Sequence, residues 1–308
     1  MINRILIRIR VIQIVYAWYQ NQGKDINQAE RELLLGLQKS YDLYYYLLQL
    51  MVEITDLHEE RVNTNKSKFL PTNEDLNPNM HIINNKFINQ LRNNRMFVSY
   101  ITNRPMTWEL NTSFVRSLLD EILASDAYIE YAQLEKPTYK EDKEFWRKNF
   151  RVFIQRNEQL DEILEDESIY WNDDIDIVQS FVLKTIKQFK KTEGEDYLLL
   201  PFFNHEEDRE YATTLLRETL ANGKEYRQMI AKNADNWDFE RIAYMDVVIM
   251  QVAVAELYEF ESIPIRVTLN EYIDLAKSYS TPKSSTFING VLDAIVTELK
   301  KDKTIFKN

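Results

Sequence analysis

Apolar positions recur along most of the chain at three- and four-residue spacings, the mark of amphipathic helices. Residues 26–60 carry Leu33, Leu34, Leu37, Tyr41, Tyr44, Tyr45, Leu48 and Met51 as a broad apolar face with charges opposite, which predicts one long helix. The opening apolar stretch, Ile5 to Trp18, fits a strand by period 2 and a helix by period 3.6. Helix is preferred, because the run continues past Tyr16 and Trp18 to a stop at Gly23. That phase stacks Arg4 and Arg8 one turn apart and points Arg10 elsewhere. Between Asn63 and Asn79 the chain turns polar around Pro71 and Pro78, a linker that puts a boundary near 62.

Further helical patterns are expected at about 82–103, 112–132, 141–165 and 174–191, separated by Pro105, Pro137 and the acidic stretch 165–176. The last hundred residues begin with a helix over about 206–222, ended by Gly223, and another over about 225–234. A third starts near Asp238 and keeps Ile242, Met245, Ile249 and Val252 on one side. Pro264 breaks the chain, and Thr268 followed by Glu271 reads as a capping box opening a helix to about Ser280. Past Pro282 and Ser284, the residues Phe287, Val291, Ile295 and Leu299 form the inner stripe of a final helix. There is no internal repeat.

Composition sharpens the class. Only 5 Gly and 7 Pro punctuate 308 residues, too few for a sheet-rich fold or a glycine-cradled nucleotide site, while 44% hydrophobic residues supply a core. The fold class is all-α. Absence of cysteine excludes disulfides, thiolate metal sites and cysteine nucleophiles. Arg8, Arg10 and Gln13 interrupt the N-terminal apolar stretch, so neither a signal peptide nor a membrane span is expected; the expected setting is the cytoplasm. His58, His81 and His205 lie in no metal-ligand spacing, and the chain has neither a Walker loop nor a GxSxG elbow. The acidic runs around Glu165, Asp173 and Asp174 read as solvated surface. No metal and no cofactor are expected.

Formal charge is −11, which by itself argues against a polyanionic partner. Its distribution argues otherwise. Residues 1–23 hold Arg4, Arg8 and Arg10 with no acid, and residues 277–308 hold six Lys against Asp293, Glu298 and Asp302. Any polyanion is therefore expected to be met by the two ends of the chain, brought together.

The stretch NEYIDLAKSYSTPKSSTFINGVLD, Asn270 to Asp293, closely resembles the C-terminal signature of NusB transcription antitermination factors. FERIAYMDVVIMQVAVAELYEFESIP, Phe239 to Pro264, is similar to the family's penultimate long helix, and RIRVIQIVYAWYQ, Arg8 to Gln20, to its first. The resemblance covers about 1–61 and 206–308, with 206–236 the looser part. It implies a helical bundle of two subdomains: N-terminal helices in 1–61, a C-terminal helical subdomain in 206–308, and between them a helical insertion, 62–205, of unreadable role. The function it implies is a non-enzymatic RNA-binding factor. Such proteins bind boxA-type RNA of ribosomal RNA leaders together with NusE, a ribosomal small-subunit protein, and assemble an antitermination complex on RNA polymerase.

By the same matching, Arg4, Arg8 and Arg10 are expected on phosphates, where arginine forks bind bidentately. Tyr16, Lys277, Tyr279, Lys283, Ser284 and Phe287 complete the implied RNA surface, since aromatic planes stack on splayed single-stranded bases. Tyr16 and Asp246 are implied on the NusE face. The helical spacing of Phe287 with Val291 and Ile295 also predicts burial, and Trp18 reads more readily as core. The N-terminus is less densely basic than is usual in the family, so RNA affinity without NusE is expected to be weak. An enzymatic relative, an rRNA cytosine methyltransferase with a NusB-like domain, is not expected: cysteine is absent and about 15 residues follow the signature. The remaining alternative is a protein-only scaffold whose acidic insertion holds a basic ribosomal or transcription partner.

Overall fold

The computed structural model describes residues 1–104, 106–234 and 242–302. Pro105, the helix start expected near Asp238, and Lys303 and Lys307 lie outside the described residues. The chain is all-α, and the described residues form no strand; Ile2 and Phe203 make one isolated parallel bridge. Helices α1 (Arg4–Gln20) and α2 (Ile26–Lys66) open the chain. There follow α3 (Asn73–Leu76), α4 (Lys86–Arg92), α5 (Arg95–Thr102), α6 (Thr112–Ala124), α7 (Asp126–Ala132), α8 (Tyr139–Asn149), α9 (Glu158–Glu167) and α10 (Ile175–Gln188). The C-terminal set is α11 (Glu207–Ala221), α12 (Gly223–Asn233), α13 (Tyr244–Glu259), α14 (Ile265–Tyr279) and α15 (Ser284–Lys301). No helix among the described residues is long and apolar enough to cross a membrane.

The chain divides into two compact units. A central unit comprises Gln38–Phe202 with Met1, and a terminal unit comprises Ile2–Leu37 and the chain from Phe203 onward. The division expected near 62 thus falls at Gln38, inside α2, because that helix runs unbroken to Lys66 and changes cores without a linker.

The central unit is organised by the tyrosines of α2. Tyr44, Tyr45 and Tyr46 are all buried; Tyr45 stacks on Tyr100 at 3.8 Å and Tyr46 on Trp108 at 4.1 Å between ring centroids. The Tyr44 hydroxyl lies 2.6 Å from that of Thr185, and the Trp108 indole donates to the Tyr46 carbonyl at 3.1 Å. Three of the long helices expected here are broken, each by a local device. Asn94 ends α4's path and N-caps α5, accepting from the Phe97 amide while its own amide donates to the Tyr197 carbonyl at 2.7 Å. Ser125 caps α7 in the same way. Beyond α8 the chain winds as a π-turn, Phe150–Ile154, and Arg156 takes a positive φ of 59° before α9 begins. Asn and Ser side chains that bond nearby amides compete with helix continuation, which a hydrophobic period does not register.

In the terminal unit α13 is the hub. From Asp246 to Leu257 every residue is buried, as expected of a helix that is apolar on nearly all sides. Helices α1, α11, α12, α14 and α15 pack around it. The inner stripe of α15, Phe287, Val291, Ile295 and Leu299, is buried as its spacing predicts. Two sequence readings are corrected. Gln22, with φ 50°, takes the left-handed position after α1, while Gly23 is required by a close approach, since a Cβ there would sit 2.5 Å from the Trp18 ring. The Thr268–Glu271 capping box does not form: Pro264 caps α14 four residues before the expected cap, and Thr268 lies inside the helix, buried.

Candidate nucleic-acid interface

The first helix brings its arginines to three different fates, all within the terminal unit. Arg8 is 3% exposed. Its guanidinium makes a bidentate pair with Glu256, Nε to Oε2 at 2.8 Å and Nη2 to Oε1 at 2.9 Å, and Nη1 reaches Glu271 at 3.2 Å. Glu256 also accepts hydroxyls from Tyr211 (2.5 Å), Thr268 (2.8 Å) and Tyr272 (3.0 Å). Burial works to raise the Glu256 carboxyl, but the Arg8 fork and the hydroxyls outweigh it and hold the group below the usual carboxylate range. Burial likewise opposes the Arg8 charge, and the Glu256 carboxylate more than offsets it. Arg8 is therefore a buried structural cation, not a phosphate ligand, which corrects the role implied for it.

Arg10 is corrected for a similar reason. It is 5% exposed and lies over Gly36 of α2, where a Cβ would come 2.8 Å from Arg10 Cδ. Arg4 alone keeps a wet side chain, 37% exposed, held over the Tyr211 ring at 4.9 Å with a long 3.5 Å contact to Asp208. Arg4 and Arg8 do lie on one face, both over Tyr211.

At the other end of α13 the implied residues separate into two kinds. Asp246 and Ser284 are 4% and 2% exposed; Asp246 accepts from Ser280 Oγ at 2.5 Å and Ser284 Oγ at 2.8 Å, tying the α14–α15 turn to α13. Phe287 is buried beneath that turn. These three cannot offer their side chains to a partner; they hold the turn in place. Lys277 and Lys283 are exposed and Tyr279 half-buried, with Lys277 paired to Asp274 at 2.7 Å. The turn thus presents two cations and a ring from a rigid base.

Beside it sits a cluster that sequence reasoning found only in part. Tyr16 meets Tyr244 edge-on at 5.6 Å, and Tyr19 meets it at 6.4 Å. The Arg227 guanidinium lies 3.9 Å from the Tyr19 centroid and donates to the Tyr244 hydroxyl at 2.7 Å. Gln251 orients both, donating to the Tyr19 hydroxyl at 3.1 Å and accepting from Arg227 at 3.2 Å. All four residues of this platform are half-exposed. Tyr16 and Tyr19 are three residues apart, which sets both rings on one face of α1; Arg227 and Tyr244 carry no local signal.

Helix pairing sets the distance between these groups. Arg8 is level with Glu256 and Tyr16 with Tyr244, so α1 runs antiparallel to α13. Ser284 is level with Asp246, ten residues from Glu256, which at 1.5 Å per residue is about 15 Å. Arg4 lies one further turn away. Arg4 and the α14–α15 turn are thus separated along the length of α13, although both ends of the chain belong to the same unit.

Residues 175–297 match the model of the NusB family. A transcription antitermination protein NusB of Salinibacter ruber is 40% identical over 124 residues, covering 38% of this chain and 78% of that relative. The chain belongs to the NusB family. Proteins of the same name from Chloroherpeton thalassium and Natranaerobius thermophilus are each 37% identical, over 100 and 92 residues. Those matches span 32% and 30% of this chain, and 47% and 66% of the relatives, less than two thirds of either. No solved structure matches the chain. The family match begins at the first residue of α10, so it reaches upstream of 206 into the central unit and leaves α1 outside.

Proposed function

We propose that this NusB-family chain is an RNA-binding transcription antitermination factor that takes up boxA-type RNA of ribosomal RNA leaders with NusE and assembles an antitermination complex on RNA polymerase. Family membership carries the reading, through relatives each named transcription antitermination protein NusB. In this proposal Lys277, Tyr279 and Lys283 meet RNA from the α14–α15 turn, with Arg4 a more distant phosphate contact. The Tyr16, Tyr19, Tyr244 and Arg227 platform stacks on bases or, through Tyr16, meets NusE. Arg8, Arg10, Asp246, Ser284 and Phe287 act by positioning these groups. The role is non-enzymatic and cytoplasmic, without cofactor.

Titration of boxA RNA and a scrambled control, with and without NusE, at several salt concentrations tests the reading. Preference for boxA, tightened by NusE, is expected. Each single-strand phosphate contact contributes about 0.7 to the slope of log affinity against log salt, so Lys277→Ala with Lys283→Ala should reduce it by up to about 1.4. Equal, weak binding of both RNAs with NusE present would instead favour a protein-only scaffold. The observation behind that second reading is the run 158–176, which holds nine acids and no Lys or Arg.

A further inference from the structure

The central unit carries a groove whose charge runs against that of the chain. Residues 136–156 hold seven Lys and Arg against three acids, immediately before the purely acidic run 158–176. The basic segment is α8 with its π-turn, and it faces α10 across a groove of about 680 Å³. One wall is Lys140, Lys143, Arg147 and Arg151, spaced three, four and four residues apart and therefore stacked turn over turn on one helix face. The opposite wall is Ser180, Lys184 and Lys187, again one turn apart.

Two of these cations are spent internally. Lys143 donates to the carbonyls of Lys187 and Phe189, both at 2.9 Å, closing the C-terminal end of α10. Arg147 grips Glu144, the only acid on the groove, through Nε at 2.7 Å and Nη2 at 2.6 Å. That grip occupies both carboxylate oxygens and fixes the guanidinium plane at the groove. Lys140, Arg151, Lys184 and Lys187 remain, all exposed and none in a salt bridge among the described residues.

The chemistry of the lining selects its occupant. Its apolar groups are Leu183 and the buried Ile186, so there is nothing to anchor the apolar side chains of a peptide, and no aromatic ring lines it to stack a base. What it offers is a line of cations about 16 Å long, from the helical rise between Lys140 and Arg151, matched by a second line across the gap. Regularly spaced anions in an open track are a phosphate backbone, and Lys and Arg are its usual ligands.

We infer that the groove between α8 and α10 is a second RNA contact, holding the backbone of single-stranded RNA without reading its sequence. The inference rests on the reading that this chain's ligand is RNA, and it places part of the phosphate binding on α8, outside the matched residues 175–297, and on α10, at their start. With Arg8 and Arg10 buried, such a track supplies charge that the first helix does not.

The test uses the full chain and a labelled, short single-stranded RNA of mixed sequence, titrated at several salt concentrations. One variant carries Lys140→Ala, Arg151→Ala, Lys184→Ala and Lys187→Ala; a companion carries Arg4→Ala, Lys277→Ala and Lys283→Ala in the terminal unit. All four groove residues are exposed, so an unchanged melting temperature is expected and is measured first. The groove variant should lose close to 3 units of salt slope at about 0.7 per contact, equally for boxA and scrambled RNA. Wild-type RNA affinity and slope in the groove variant, with a loss only in the companion, would overturn the inference while leaving the antitermination reading intact. Absence of RNA binding by the wild-type chain at low salt, with NusE present as well as without it, would overturn both. Binding of polyglutamate more tightly than RNA at matched charge, abolished by the groove substitutions, would assign the groove to an acidic protein instead.

Discussion

Replacing Arg8 with methionine separates the buried-cation role from a phosphate-binding one. Methionine keeps most of the side-chain volume and removes the charge, leaving Glu256 fully buried with hydroxyl donors from Tyr211, Thr268 and Tyr272 but without the Arg8 guanidinium. Breaking a buried pair on one side costs about 3–5 kcal/mol. At roughly 2–4 °C per kcal/mol for a domain of this size, the transition of the terminal unit should fall by about 6–20 °C. The cost should also depend on pH. In the wild type the Glu256 carboxyl lies below its ordinary 4.5, so its stabilisation is present above that value and is lost as pH falls through the lowered one. Without the Arg8 fork, burial is the larger influence and drives the carboxyl above its ordinary value; the penalty is then full at neutral pH and relieved on acidification. Adding Glu256→Gln, which keeps an acceptor for the hydroxyls without the charge, should recover at least half of the loss. Thermal melts at pH 7 and pH 5 read both effects, and RNA titration well below the melt should give an unchanged salt slope. A penalty under about 1 kcal/mol at neutral pH, or a slope reduced by about 0.7, would refute the assignment.

Phe287→Ala should cost about 3–5 kcal/mol, because its ring is core beneath the α14–α15 turn, and below the melt it should change RNA affinity far less than Lys283→Ala does. Gly223→Ala should destabilise by about 1–3 kcal/mol: the added methyl overlaps the Tyr19 hydroxyl, displaces that ring and breaks its bond to Gln251, which a melt combined with tyrosine fluorescence reports. Arg227→Ala removes the cation from the Tyr19 face, an interaction of about 0.5–1 kcal/mol, and should weaken RNA or NusE binding without the pH dependence expected of the Arg8 variant.

What the chain's order of residues determined alone is the helical class, the phase of each helix and the family. Few glycines and prolines leave no means of building sheets, and a 3.6-residue period assigns an inner face wherever a helix has one, as in α15. The same period put Arg4 and Arg8 on one face, where both now lie over Tyr211. Tertiary structure decided which cations are wet. Arg8 is buried because Glu256, 248 positions away, waits opposite it, and Thr268 is a carboxylate donor because Pro264 starts α14 early. It also decided that the units part inside α2 and that the basic faces of α8 and α10 confront each other. Periodicity is a property of one helix, whereas the desolvation of a charge and the meeting of two charged faces are properties of a pair, and only the fold chooses the pair.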